Sequence, residues 1–196
     1  VSGLSQLRDP PPLGYLPQGT SNDVASSLGI PKTPVAAAKH MVRGKPTPLD
    51  IGRFNETDCF TYIAAFGAFT EVSYETPREQ KQLLGHFAYV LQGLSKLPKI
   101  SSYHTTVELD DGRTIIDDLV FGSVSNTRAV GGMVRLKDDL VDLNDGQFEV
   151  MLVRDPGPGN VIELNKITTA ILRGTFASPY IRLLHSSRAK FTFGEP

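Results

Sequence analysis

Two short stretches of this sequence carry residue types that chemistry can use. The first is GTSNDVA, residues 19–25, where a glycine, two hydroxyls, an amide and a carboxylate precede an apolar segment. Asn22 or Asp23 can cap a short helix over 24–28 by accepting a hydrogen bond from a first-turn amide. Gly29 would then close that helix and Pro31 would block its continuation. The same junction offers free N–H groups and a positive dipole end to an anion, typically a phosphate. Spacing alone favours the cap, since Asn and Asp start helices in proteins of every kind. The second stretch is LVDLNDGQFEVMLV, residues 140–153. Asn144-Asp145-Gly146 ahead of an alternating run reads first as a turn. A turn with one carboxylate among inward carbonyls also suits a hard cation such as Mg²⁺ or Ca²⁺, with water completing the shell.

Other reactive groups give no such pattern. The four histidines, His40, His86, His104 and His185, stand at no metal-binding spacing from one another and read as surface or packing residues. Cys59 is the single cysteine and reads as a small core residue, with no paired base in view. A lone cysteine fits a reducing compartment. No Gly-x-Ser-x-Gly elbow and no complete Walker loop occurs. Lys39, Arg43 and Lys45 read as a solvated helix face.

The elements that must position these residues can be read from patterning. The 196 residues suffice for one domain or two small lobes, and 40% hydrophobic with 21% charged residues describes an ordinary globular chain. A net charge of −1 gives no field that would attract nucleic acid. No apolar run reaches bilayer-crossing length, so no transmembrane helix is expected. Residues 1–44 are α/β in character, with a strand candidate at 13–16 and a helix over 33–42 that has Pro34 in its first turn and Gly44 at its stop. From about 45 a period of two dominates, with strands expected at 49–54, 59–65, 103–109, 113–124, 148–153, 180–185 and 189–193. Asp111-Gly112 marks a hairpin between two of them. Two helices interrupt the strands. One carries Leu83, Leu84, Phe87, Leu91 and Leu94 on a face, with Gly93 a weak point. The other opens with a capping-box pair, Asn160 and Glu163, buries Leu164, Ile167, Ile171 and Leu172, and stops at Gly174.

Taken in order, several motifs resemble one family. Residues 19–25 look like the Gly-Thr-x-Asn-Asp-x-Ala motif of the diacylglycerol kinase catalytic family, which also includes sphingosine and ceramide kinases and soluble bacterial lipid kinases. SYETPREQKQLLGHFAYVLQGLSKLP (73–98), SNTRAVGGM (125–133) and LVDLNDGQF (140–148) are similar to segments of the bacterial members. VSGL at the start matches the residues immediately C-terminal to that family's Gly-Gly-Asp-Gly-Thr nucleotide loop.

The resemblance implies a mainly β fold: a β-sandwich domain with two or more helices over 46–196, preceded by the last part of an α/β ATP-binding domain over 1–45. It implies ATP and Mg²⁺ as cofactors. Thr20 matches the threonine that contacts ATP, with Gly19, Asn22 and Asp23 shaping the loop, which then both caps a helix and lines a nucleotide site. Asp145 matches the side-chain ligand of a Mg²⁺ site, and Asp142 and Gln147 match positions that give it backbone carbonyls. The implied activity is phosphorylation of the diacylglycerol hydroxyl to phosphatidic acid, by a cytoplasmic homodimer that meets its lipid substrate at a membrane surface. The phosphate-cradling loop and the Asp-Gly-Glu segment are absent from these residues, so the catalytic base is expected beyond Pro196 and residues 1–196 alone are expected to be inactive. The rival readings are a kinase for another lipid alcohol or for NAD, and a non-catalytic β-sandwich module for binding or assembly.

Overall fold

The computed structural model describes residues 1–19, 21–68, 70, 100–131, 134–137, 139–157 and 159–194. The helix expected to carry Leu83 to Leu94 lies outside them. The architecture is mainly antiparallel sheet with three helices among the described residues. It is the mainly β class expected from the period-two pattern.

Alternation builds the main sheet. In β4 (Tyr103–Leu109) every second side chain, Thr105, Val107 and Leu109, is buried, which places one face on a core and the other toward solvent. The chain then turns at Asp111-Gly112, with Gly112 at φ 84°, into the long β5 (Thr114–Ser125). The first half of β5 alternates, whereas 119–123 are buried without a break, so its second half is covered on both faces. β8 (Phe148–Arg154), β9 (Ile181–Ser186) and β10 (Ala189–Phe193) complete a sheet of order β10-β4-β5-β8-β9. β3 (Ile63–Gly67) also pairs with β5 and shares one of its edges with β4. Tyr103 of β4 pairs Leu119, and Gly67 of β3 pairs Phe121. Between these two contacts the β5–β8 register shifts. Gly67 sits at φ 92° there, and a Cβ on it would run into the Val120 carbonyl, so no other residue fits without rearrangement.

Two further hairpins flank the sheet: β1 (Gly52–Phe54) with β2 (Asp58–Phe60), and β6 (Ala129–Val130) with β7 (Val134–Arg135). One core joins Val107, Leu109, Leu119, Val150 and Leu152, with Phe66, Leu184 and Phe191 against it. A second joins Val120, Phe121, Val153 and Ile181 to Ile167, Ala170 and Ile171 of α3 (Val161–Leu172). Half of the expected α3 capping box forms: Asn160 Oδ1 accepts from Glu163 N at 3.3 Å, while Asn160 N–H donates to Gly157 O and Glu163 Oε1 accepts from Lys166. Leu164 and Leu172 are half-buried on the margin of its apolar stripe. A third cluster of Leu136, Val141 and Leu143 receives Leu28 and Leu49 from the N-terminal segment.

Three expectations are corrected. Residues 13–16 form no strand: prolines at 10–12 and 17 remove N–H donors on both sides, and Leu13 is 62% exposed. The run 59–65 is two strands, because the chain bends at Thr61 and Tyr62. Cys59 is half-buried, with Sγ 3.3 Å from Ser5 Oγ, and among the described residues it joins no core cluster. By contrast His40, His104 and His185 are exposed, as are Lys39, Arg43 and Lys45.

Candidate functional site

The loop before α1 (Asp23–Ser27) is shaped by its own side chains. Asn22 adopts φ 54° and ψ 45°, a left-handed conformation that Asn tolerates better than most residues. Its side chain does not cap α1 as expected. It turns back, and Oδ1 accepts from Gly19 N at 2.8 Å, closing the loop on itself. Gly19 is exposed and Ser21 and Asn22 are half-buried, so the loop borders solvent, while Thr20 lies outside the described residues. At its other end α1 stops as expected. Gly29 at φ 66° lets Ile30 N–H reach Ala25 O at 2.8 Å and Gly29 N–H reach Ser26 O at 3.4 Å, a Schellman pair.

Asp23 faces inward. It is 8% exposed, and Oδ2 accepts a 2.8 Å hydrogen bond from the Tyr62 hydroxyl, which in turn accepts from Gly131 N at 3.1 Å. Burial pushes the Tyr62 phenol far above its ordinary value and the Asp23 carboxylate adds to this, so the hydroxyl keeps its proton. Four residues on, the Ser27 and Thr127 hydroxyls lie 2.8 Å apart, and Arg128 N–H donates to Ser27 Oγ at 3.0 Å. The five-residue α1 therefore has both ends hydrogen-bonded to other elements. A helix that short gains little from its own backbone bonds.

The second candidate site is the turn over 142–147. Each nearby carboxylate spends one oxygen on a backbone N–H: Asp142 Oδ1 on Asn144 at 3.1 Å, Asp145 Oδ1 on Gln147 at 2.9 Å, and Asp50 Oδ2 on Gly146 at 2.6 Å. Gly146, at φ 75°, takes the left-handed place that Asn-Asp-Gly predicts. Carboxylate oxygens beside turn carbonyls are hard-cation donors, and this donor set fits Mg²⁺ with water completing the shell. Among the described residues no group of three His, Cys, Asp or Glu side chains converges as an all-side-chain site.

Residues 126–131 join the two candidate sites. Asn126 Nδ2 donates to Asp50 O at 2.9 Å and to Leu143 O at 3.2 Å, anchoring the acidic turn, and its backbone N–H donates to Tyr62 O at 3.0 Å. Arg128 Nε donates to Val141 O at 3.2 Å. Thr127 and Arg128 hold Ser27, and Gly131 holds Tyr62. Beneath them Glu149 is only 2% exposed. Burial pushes its carboxyl up to about 7, with the Asp145 charge adding to the rise against backbone hydrogen bonds that lower it. Glu149 Oε2 and Asn126 Oδ1 have no hydrogen-bond partner among the described residues.

Thus Asp142, Asp145 and Gln147 do meet in one turn, and Gly19, Asn22 and Asp23 in one loop, with 126–131 between them. Sequence reasoning missed Asp50, Tyr62, Asn126 and Glu149. The available signal was the polar run SNTR directly after an apolar strand. Nothing marked Tyr62 within FTYIAAF.

Comparison with known proteins agrees with the resemblance. Residues 1–54 match the family described as "Diacylglycerol kinase catalytic domain". The chain is 37% identical over 175 residues to a "Diacylglycerol kinase" of Bacillus subtilis, covering 89% of this chain and 56% of that protein. It is 34% identical over 174 residues to a "Diacylglycerol kinase" of Staphylococcus epidermidis, covering 89% of this chain and 53% of that protein. The chain thus spans about half the length of the curated relatives it matches. Its fold superposes on the crystal structure of a diacylglycerol kinase from Bacillus anthracis with a TM-score of 0.74 at 21% identity, covering 99% of this chain and 62% of that one. Motif order and relatives above 30% identity point the same way: residues 1–54 match the diacylglycerol kinase catalytic domain family, and 89% of the chain is similar to about half of proteins named diacylglycerol kinase.

Proposed function

We propose that the natural polypeptide carrying this chain is an ATP-dependent lipid kinase that phosphorylates the hydroxyl of diacylglycerol, giving phosphatidic acid. The observation that carries this reading is the match, over 89% of the chain, to bacterial relatives named diacylglycerol kinase. Phosphoryl transfer asks a protein mainly to position the donor and to neutralise charge on the transferred group. Residues 1–45 are read as part of an ATP-binding domain and 46–196 as the β domain, with the nucleotide bordered by Gly19, Thr20 and Asn22. Asp23, turned toward Tyr62, is read as holding the loop from behind. Asp145, with the carbonyls of Asp142 and Gln147, is read as a Mg²⁺ site whose charge, when the ion is bound, relieves the acidity gathered at the turn. The side chains of Asp50 and Asn126 hold that turn through Gly146 N–H and Leu143 O.

Among the described residues no helix is long and apolar enough to cross a membrane. The lipid is read as reached from the cytoplasm, by a homodimer in peripheral contact with the bilayer. The test is phosphatidic acid formation by the full polypeptide from ATP and dispersed diacylglycerol, with NAD⁺ and sphingoid alcohols as parallel acceptors. Product with diacylglycerol alone supports the reading. Turnover only with NAD⁺, or ATP hydrolysis and transfer absent under all conditions, favours a nucleotide kinase or a binding module instead.

A further inference from the structure

Tyr62 occupies a place that neither its strand nor the apolar cores require. It lies in the bend between β2 and β3, and its hydroxyl uses both its functions on separate elements: it donates to Asp23 on α1 and accepts from Gly131 after β6. Its own carbonyl is held by Asn126 N–H at 3.0 Å. The tyrosine is therefore fixed at both its backbone and its tip before it touches α1. Asp23 opens a helix that packs the fully buried Ala25 inward, an apolar contact with no directional preference. Directional bonds at both ends of α1, between Tyr62 and Asp23 at its first residue and between Ser27 at its last and both Thr127 and Arg128, set the rotation of the helix about its own axis. That rotation passes straight into the loop, because Asn22 precedes Asp23 in a left-handed conformation and its Oδ1 holds Gly19 N.

We propose that Tyr62 is a positioning residue for the nucleotide loop, transmitting the placement of residues 126–131 through Asp23 to Asn22 and Gly19. This rests on reading the loop as the ATP site. A purely apolar residue at 62 would fill space yet leave the buried Asp23 oxygen without this donor, and the loop without this reference point.

The experiment is Tyr62→Phe in the full natural polypeptide, measuring the ATP Kd by calorimetry together with KM for ATP, KM for dispersed diacylglycerol, and kcat. The ATP Kd and KM are expected to rise about tenfold, equivalent to about 1.4 kcal/mol, with KM for the lipid unchanged. Ser186→Ala serves as the control for general destabilisation. Its hydroxyl donates to Asp110 beside the opposite end of β5, so it should lower Tm while leaving the ATP KM in place. Should Tyr62→Phe not fold, Ser27→Ala removes the directional bonds to Thr127 and Arg128 at the other end of α1 and is expected to raise the ATP KM about threefold. Wild-type ATP binding with neither variant altering it overturns the inference alone. A wild-type protein that binds no ATP overturns the functional reading, and this inference with it.

Discussion

The two ends of β5 hold the chain by different means. At Thr114 the strand leaves an exposed hairpin: Arg113 pairs with Asp111 at the surface, and Asp110 accepts from the backbone and hydroxyl groups of Ser187 and from the hydroxyl of Ser186, itself buried. At Ser125 the strand runs into buried polar residues, including Ser125, Asn126 and Thr127, with Asp23, Ser27 and Glu149 packed around them. The first end solves a solvation problem with water at hand. The second buries polar groups where each lost partner is costly, and this burial is where the loop and the acidic turn are fixed. Polar burial, more than apolar burial, marks the part of this molecule that places groups with direction.

The contrast can be broken most forcefully at Asn126. Asn126→Ala removes the donor shared by Asp50 O and Leu143 O and should lower stability by about 2–4 kcal/mol, read as a large fall in Tm. It should also loosen the 142–147 turn, visible as faster amide exchange at Gly146 and Gln147. Next comes Glu149→Gln. The folded pKa of Glu149 is raised to about 7 above an unfolded value of 4.5, so the native state binds more protons in between and stability falls as pH rises through that window. The variant should flatten that slope and gain up to about 3 kcal/mol at pH 8, at ~1.4 kcal/mol per pKa unit. Denaturant melts at pH 4.5 and 8 check both the sign and the size. A wild-type profile that rises with pH across this window would contradict it.

Smaller effects belong to the opposite end. Asp110 is held down to about 2, first by the Ser187 and Ser186 hydroxyls. Its folded value is depressed, so its contribution is complete above the unfolded 3.8 and is lost as pH falls toward 2. Asp110→Asn should lower Tm modestly at pH 7 and leave it unchanged at pH 2. Least of all, Lys190→Ala should leave Tm unchanged, since its partner Glu108 and its own side chain are both largely in water. If the surface variant costs as much as Asn126→Ala, the distinction between the two ends fails.

Much of this organisation is legible in the sequence, for reasons that differ by element. β4 and β10 are read to the residue, because the first alternates along a half-buried face and both are bounded by turns. The Asn160 cap of α3 is equally direct. The loop is harder. Asn22 carries a cap's identity, but its left-handed backbone points the side chain at Gly19, a choice made by φ and not by residue type. The stretch at 13–16 is apolar enough for a strand and finds no ladder partner. Tyr62 reads as one more β-forming aromatic, since only tertiary packing reveals that its hydroxyl bridges two distant segments. Asn126 likewise becomes an anchor only once residues 50 and 143 arrive beside it.

The shared edge of β5 has a consequence for how this protein could be altered. β3 departs where Gly67 faces Phe121, and β4 arrives where Tyr103 faces Leu119. Two strand positions separate exit from return, roughly 7 Å at the usual rise. Whatever residues 68–102 do, they are inserted at a single point of the sheet's border. Ala68 is buried and Ile100 packs against the core beside α3, so an exchange that keeps these two would leave the ladder partners of the described strands in place, and doubling the length between them would add only ~0.6 kcal/mol of closure entropy. The border of β5 is in this sense a socket, with the chain leaving and re-entering the sheet two positions apart on one strand.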